Sequence, residues 1–468
     1  MRGRLLGWAA VALICLGFGI GQGFLLDARI RDFDEGVYWQ SFRALARGEP
    51  LFGSVFASQP PGFYYLMLPS YLIGRSLLSL RLTVLVFAIA GIVATYVAGT
   101  ALGGRWSGLI AALVVATSAL YLHQAAILQA DGPSVALSIL AFALALSSVR
   151  AKGRRGLLLA LSAGVVVAVA TGVKLLAAVT AVPILIVLLE EADHRWRLLL
   201  AAAAGGFVAA ALLAVPAVTA PGAAFTQVIA SHLRAGAIAN QTLADNLRLL
   251  LLRREIPLEA LAAIGLVTGV VRRARAVLAP AVWAGLSMVA VLLYHPLFPH
   301  HLAMLSVPLG LVAGAGLRPP AIGRLRDLRL PQAAIAALVT GTAAAGIVAM
   351  IPELHLTLAP DLHDAEMQAA VSKLSQPGDY WISDNPFAVA AAKRDIPGPL
   401  VDSSLQRIRT GLLTVDDLES ARVAYHVRWV LEDSFRLDKV PGYQDWLAAH
   451  FRAVRHLGGD AVIYEANP

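Results

Sequence analysis

Three carboxylates, Asp32, Asp34 and Glu35, stand within four positions of one another. They follow directly on the first apolar run of the chain, near 5–26. A carboxylate at a membrane surface can deprotonate an acceptor hydroxyl or amine, or hold a divalent metal. The plainer alternative makes Asp34 a helix N-cap, with Glu35 favouring the positive end of the helix dipole. A helix is expected from this point, with Tyr38, Phe42 and Leu45 on one side and Gly48 and Pro50 as its stop.

Four further groups could do chemistry. Ser58-Gln59-Pro60-Pro61-Gly62-Phe63-Tyr64-Tyr65 fixes an extended turn followed by aromatics; it reads as an interfacial aromatic belt or as the lining of a lipid or sugar cavity. His123, Gln124, Gln129 and Asp131 precede Gly132-Pro133, where Asp131 would cap the next helix or face the same surface as Asp34. Lys174 is alone among apolar residues at a span end. It either snorkels or meets a lipid phosphate. Tyr294-His295-Pro296-Leu297-Phe298-Pro299-His300-His301 places three histidines at another span end. Adjacent His300 and His301 on a helix would point about 100° apart, which disfavours joint ligation of one metal and leaves phosphate or acceptor binding.

The elements that must position these residues are membrane helices. Hydrophobic residues make up 58% of the 468 and charged residues 15%, against about 45–50% and about 25% in ordinary soluble domains. The mean hydropathy is +0.69. Apolar runs lie near 5–26, 78–101, 107–122, 132–149, 156–171, 175–189, 198–218, 257–271, 277–294, 301–317 and 333–351, which predicts about eleven transmembrane helices. Arg2 and Arg4 before the first run resemble a signal peptide, but no cleavage site precedes a soluble domain, so an uncleaved span is expected. The one cysteine, Cys15, excludes an intramolecular disulfide and a thiolate metal site.

Charge sets the orientation. Arg2, Arg4, Arg105, Arg150, Lys152, Arg154, Arg155, Arg195, Arg197, Arg272, Arg273, Arg275, Arg318, Arg324, Arg326 and Arg329 fall in one alternate set of short loops. The opposite short loops, near 123–131, 172–174 and 295–300, hold only Lys174. The rich set is therefore cytoplasmic, the N-terminus inside and the C-terminus outside. The net charge of +8 is spread over these loops rather than gathered on a face, so it sets topology and does not make a nucleic-acid site.

This divides the chain into a transmembrane part, 1–351, whose first outer loop is 27–77, and a soluble outer part, 352–468. The tail carries Asp361, Asp364, Glu366, Asp379, Asp384, Asp395 and Asp402. Strands are expected at Tyr380–Ser383, Arg428–Leu431 and Ala461–Tyr464, and helices near 362–375, 415–425 and 442–452, giving a small α/β domain.

In their order and on their common side, the motifs Asp34-Glu35-Gly36-x-Tyr38, Gln59-Pro60-Pro61-Gly62-x-Tyr64-Tyr65, Ala130-Asp131-Gly132-Pro133, Thr171-Gly172-x-Lys174 and His300-His301-Leu302 with Pro308 resemble the GT-C glycosyltransferases. The likeness is to the family 39, protein-mannosyltransferase-like bacterial group that includes the aminoarabinose lipid A transferase. It covers roughly 1–350, and the tail, with Pro377-Gly378-Asp379 and Ser383-Asp384-Asn385, resembles the outer domain of bacterial members. The resemblance implies a polyprenyl-phosphate-linked sugar donor and an inverting transfer to a lipid, glycan or protein acceptor. It assigns the catalytic base to Asp34, with Glu35 beside it, the second family acid to Asp131, and donor-phosphate contact to Lys174. The chain departs from the family at Gln59, where a basic residue is frequent. His300, His301 and Gln59 are the further candidates for the donor side. Tyr38, Tyr64 and His123 join Asp131 as candidates to line the cavity or meet the acceptor.

One carboxylate suffices for such a step, because a lipid phosphate leaves without a strong acid, unlike the two-carboxylate requirement of glycosidases. The rivals are a transporter or flippase of lipid-linked intermediates and a membrane scaffold. A flippase needs charges along a groove through the bilayer, and the runs contain almost none. No nucleotide-binding glycine loop is present. A divalent metal is one option at the acidic cluster or the histidines, and no pattern names a cofactor. Membrane lipids are expected partners, and the bacterial inner membrane is the expected location.

Overall fold

The computed structural model describes residues 2–27, 29–190, 195–252, 256–317, 332–359 and 361–468. Arg318, Arg324, Arg326 and Arg329, read above as inside charges, lie outside the described residues. The backbone separates into two compact units. One comprises Met1–Leu26, Arg81–Leu213 and Gln241–His355; the other comprises Asp27–Leu80, Ala214–Asn240 and Leu356–Pro468.

Seven helices among the described residues are long and apolar enough to cross a membrane, and Arg105–Thr117, Leu175–Leu189 and Ile256–Val271 are shorter apolar segments. The multi-pass helical class expected from the apolar runs is what the chain adopts. The Asp131–Ser148 helix is the most enclosed of the seven, with 83% of its residues buried. Ring stacking of Phe142 on Trp283, 5.3 Å between centroids, and burial of Ile139, Ala141 and Leu146 fix that helix within the main apolar core. Pro133 lies in its first turn, where a missing N–H goes unneeded.

The Gly153–Val173 helix ends where the sequence reads Thr171-Gly172-Val173. Lys174 is extended, with φ −150° and ψ 125°, before a 3-10 turn at Leu175–Thr180. This break interrupts an otherwise continuous apolar stretch. It places Lys174 in extended backbone between two helical segments, where its charge is buried.

The second unit is held by its own sheet and helices. Strands β1 (Trp381–Ser383), β2 (Trp429–Glu432), β3 (Phe451–His456) and β4 (Val462–Ala466) form one sheet in the order β1-β2-β4-β3. β1 pairs parallel with β2, and the other pairs are antiparallel. β1 and β2 are buried along their whole length, and Trp381 stacks on Trp429 at 5.4 Å. Helices Leu362–Leu374, Val415–Ala424 and Tyr443–His450 lie close to the expected spans. The strand β3 is a difference: residues 451–452 were read as the end of a helix. Phe451 is buried but Arg452–Val454 are exposed, as on an edge strand, so the sequence lacks the inward alternation that marks a strand.

The Phe33–Ala46 helix belongs to this unit and packs on the short Pro386–Ala391 helix. A Cβ on Gly36 would stand 2.5 Å from the Phe387 nitrogen, so only glycine permits this approach. Gln40, fully buried, fastens the contact. Its amide nitrogen donates to the Arg394 carbonyl at 3.1 Å and, more weakly, to that of Pro386 at 3.4 Å. Its amide oxygen accepts the Ile396 N–H at 3.2 Å. Arg43 and Arg47 close on Asp395 at 2.7 and 2.6 Å.

Candidate functional site

In the first unit the chemistry gathers around one ion pair. Lys174 Nζ lies 2.6 Å from Asp131 Oδ2, with the residues 7% and 5% exposed. Asp131 is not a helix cap: Ala130 occupies the cap position without a side-chain bond, and the Asp131 carboxylate turns to the lysine instead. The pair borders a small cavity of about 20 Å³, lined also by Ser134, Thr180, Trp283 and His301, which is room for about one water. A charge pair in apolar surroundings persists because each ion needs the other; removing one leaves a buried charge uncompensated.

The connection 294–305 brings the histidines to the same unit. His301 is buried and its Nδ1 accepts the Phe298 N–H at 3.2 Å. His300 Nδ1 is 3.4 Å from the Gln129 amide nitrogen. Burial pushes the His300 imidazole down to about 4 against the opposing pull of Asp131, with Lys174 and His123 adding to the fall. His300 is therefore a neutral hydrogen-bonding group near pH 7 and not a cation. The two imidazole rings stand 4.4 Å apart in an edge-to-face arrangement, which does not converge their nitrogens on one ion. His123 pairs through Nδ1 with Glu353, a residue the sequence reading did not single out. Among the described residues no group of three or more His, Cys, Asp or Glu is arranged to hold a metal.

In the second unit the N-cap of the Phe33–Ala46 helix is Asp32, whose Oδ1 accepts the Asp34 N–H at 2.9 Å. The cap role considered for Asp34 thus falls to Asp32. Asp34 is the second helical residue, where the helix dipole favours its charge. Glu35 is fully buried and reaches back to accept the Arg31 N–H at 3.0 Å. One turn on, the Tyr38 hydroxyl accepts from the Gln59 amide at 3.1 Å, and its ring meets Phe63 at 4.7 Å and Tyr64 at 6.3 Å. Burial raises the Tyr64 phenol well above its ordinary range, and the charges of Asp402 and Asp34 push the same way. Gln59, where a cation is frequent in the resembled family, is spent on Tyr38.

The structure thus groups Asp131, Lys174, His300, His301 and His123 within one unit, and Asp34, Glu35, Tyr38, Gln59 and Tyr64 within the other. Glu353 and Gln40 escaped the sequence reading, and Asp402 was read only as one of the acids of the tail. Gln40 carried a faint signal, a polar residue between Val37 and Phe42 on a helix; Glu353 carried none, since neither spacing nor neighbours distinguish it from a surface acid.

Comparison with known proteins agrees with this architecture. Residues 58–219 match the model of the dolichyl-phosphate-mannose-protein mannosyltransferase family. The crystal structure of ArnT from Cupriavidus metallidurans in the apo state aligns over 100% of this chain and 99% of its own, with TM-score 0.68 at 16% identity. The same protein bound to undecaprenyl phosphate gives 0.67 at 14%, with the same coverage. The archaeal oligosaccharyltransferase AglB from Archaeoglobus fulgidus, in complex with an inhibitory peptide and a dolichol-phosphate, gives 0.56 at 12%, over 99% of this chain and 74% of that one. No curated protein matches by sequence. The chain has the GT-C fold from end to end.

Proposed function

We propose that this chain of GT-C fold is an inverting glycosyltransferase that moves a sugar from a polyprenyl-phosphate-linked donor to a lipid, glycan or protein acceptor. The observation that carries the reading is the full-length fold likeness to ArnT, solved with undecaprenyl phosphate bound. The transporter alternative has no observation in its favour. Transfer takes place on the outer side of a bacterial inner membrane, with eleven crossings, the N-terminus inside and the C-terminus outside. Residues 1–351 form the catalytic membrane part and 352–468 the outer domain.

In this reading Asp34 takes the proton of the acceptor hydroxyl or amine, with Glu35 holding the turn beside it. The acceptor atom attacks the anomeric carbon and forms the new bond with inversion. The bond from that carbon to the phosphate oxygen breaks, and the polyprenyl phosphate leaves with the electron pair. Lys174 meets the phosphate, with His300, His301 and Gln59 as hydrogen-bonding groups on the donor side. A cation and oriented donors at the leaving oxygens stabilise charge that grows in the transition state. Asp131, Tyr38, Tyr64 and His123 line the acceptor side. Because Asp131 already balances Lys174, an arriving phosphate shares an existing pair instead of meeting a bare cation.

The test is Asp34→Asn in proteoliposomes with a radiolabelled polyprenyl-phosphate sugar. Loss of a general base is worth about 10²–10⁴-fold in rate, so turnover should fall by that order while folding persists. Turnover near wild type rejects Asp34 as the base. A reporter that works only outside the cytoplasm, fused after Pro468, should be active.

A further inference from the structure

Two arginines of the tail are equally hidden, each 6% exposed, but they are used differently. Arg394 closes its fork on protein: Nε donates to Ser375 Oγ at 2.9 Å, Nη1 to the Ala392 carbonyl at 2.9 Å, and Nη2 to the Ser372 and Ser375 carbonyls at 3.2 and 2.6 Å. Arg407 makes only two such bonds, from Nε to the Leu412 carbonyl at 3.0 Å and from Nη1 to the Asp402 carbonyl at 2.8 Å. A guanidinium carries five N–H donors, so three of those on Arg407 have no protein acceptor among the described residues. No carboxylate there lies within salt-bridge distance of it. The Asp402 Oδ1 is engaged instead by the Ser404 N–H at 2.9 Å. A cation taken from water without a counter-ion is costly unless something supplies the missing charge. Burial in fact pulls Arg407 down to about 10, against the opposing pull of Asp402 and Asp417.

The place is informative. The guanidinium carbon of Arg407 lies 3.8 Å above the Phe56 ring. Phe56 is three residues before Gln59 on the loop that leads to Tyr64, and its N–H donates to Gly398 at 3.1 Å. We infer that Arg407 holds an anionic oxygen group of a substrate, a phosphate or a carboxylate, at the outer loop of Phe56 and Tyr64. The ring fixes the plane of the guanidinium, and the open edge of the fork offers the paired donors that such a group accepts. The anion binding stands on this geometry alone; only the identity of the molecule that carries the anion rests on the transferase reading. That anion is either the phosphate of the lipid-linked donor or an acidic group on the acceptor.

The experiment uses the full chain in lipid nanodiscs, with inorganic phosphate as the probe and chloride at matched ionic strength as the reference. Phosphate should raise the melting temperature of wild type and of Lys174→Gln, and should not raise that of Arg407→Gln. Equilibrium dialysis with labelled phosphate should show at least tenfold weaker binding in Arg407→Gln. Binding in Arg407→Lys should be several-fold weaker, since an ammonium lacks the planar fork. Phosphate binding unchanged in Arg407→Gln, or lost in Lys174→Gln alone, overturns the inference. Should Arg407→Gln not fold, unchanged phosphate affinity in Arg407→Lys overturns it equally. In transfer assays Arg407→Lys should raise KM several-fold for the donor if the anion is the donor phosphate, or for the acceptor if it is the acceptor's own group; no change in either removes the substrate assignment. Phosphate binding is scored without turnover, so failure of the transferase reading leaves this arm intact.

Discussion

Asp131 and Asp34 stand in similar sequence surroundings, each at the start of a helix with a glycine one or two residues on, yet the two units keep their charges by different means. Asp131 is held by neutralisation: its partner is Lys174 at 2.6 Å, in the most enclosed helix of the first unit. Asp34 is held by scaffolding: the Asp32 cap and the helix start fix its backbone, while Gln40, Arg43 and Arg47 lock the helix to the tail. The glycines serve both arrangements alike. A Cβ on Gly132 would meet the Gln124 carbonyl oxygen at 2.6 Å, as one on Gly36 would meet Phe387. A motif of acid and glycine therefore marks a tight backbone approach in both places, while the neighbours decide what the acid is for.

The largest expected contrast is between activity and stability. Asp34→Asn should lower transfer by about 10²–10⁴-fold with little change in unfolding. Asp131→Asn or Lys174→Met should cost about 3–5 kcal/mol of stability by leaving a buried charge alone. The double variant Asp131→Leu with Lys174→Met should regain most of that stability and still lack transfer. Denaturant unfolding in detergent beside the transfer assay reads both. A single variant at 131 or 174 with wild-type stability would end the idea that this unit relies on charge pairing.

A pH dependence should come next, and from the second unit. Glu432 on the central strand is 7% exposed. Burial pushes its carboxyl up to about 7, with Asp438 and Asp384 adding to the rise. A carboxyl whose folded value is raised stabilises the fold fully below its unfolded value and loses that contribution as pH climbs through the folded one. Stability of the tail should therefore fall between about pH 4.5 and pH 7, by at most about 3.5 kcal/mol at roughly 1.4 kcal/mol per unit. Glu432→Gln should flatten that slope in a thermal unfolding series. A slope that survives the substitution would place the titrating group elsewhere.

The smallest effect should come from the glycines. Gly36→Ala and Gly132→Ala should each cost about 1–3 kcal/mol through overpacking against backbone. Gly36→Ala should loosen the tail and raise its sensitivity to protease, and Gly132→Ala should leave the tail unchanged. Equal tail sensitivity in the two variants would mean that the Gly36 contact does not tie the helix to the tail.

Much of this architecture was legible in the residues. Apolar runs of membrane length announce the helices because an unpaired backbone amide is intolerable in lipid, and a helix satisfies its own. The Thr171-Gly172-Val173-Lys174 break and the tail strands at Trp381 and Trp429 could be read from composition. Strand β3 could not, since Phe451 is its one buried residue and Arg452–Val454 are exposed, which leaves no inward alternation to read. Glu353 beside His123 and Gln40 beneath the tail were equally hidden, because their partners are 230 and more than 340 residues away.

The sequence by itself determined that the chain is a membrane helix protein with a small α/β tail, and it marked Asp34, Asp131 and Lys174 as residues out of place unless used. Local chemistry suffices for that: hydropathy, proline, glycine and charge act over a turn or a span. Only the tertiary structure decided that Asp32 and not Asp34 caps its helix, that Lys174 is matched by Asp131, and that Arg407 is left with an open fork. A side chain's partner is set by which distant segments the packing brings within about 3 Å, the reach of a hydrogen bond, and no local pattern contains that information.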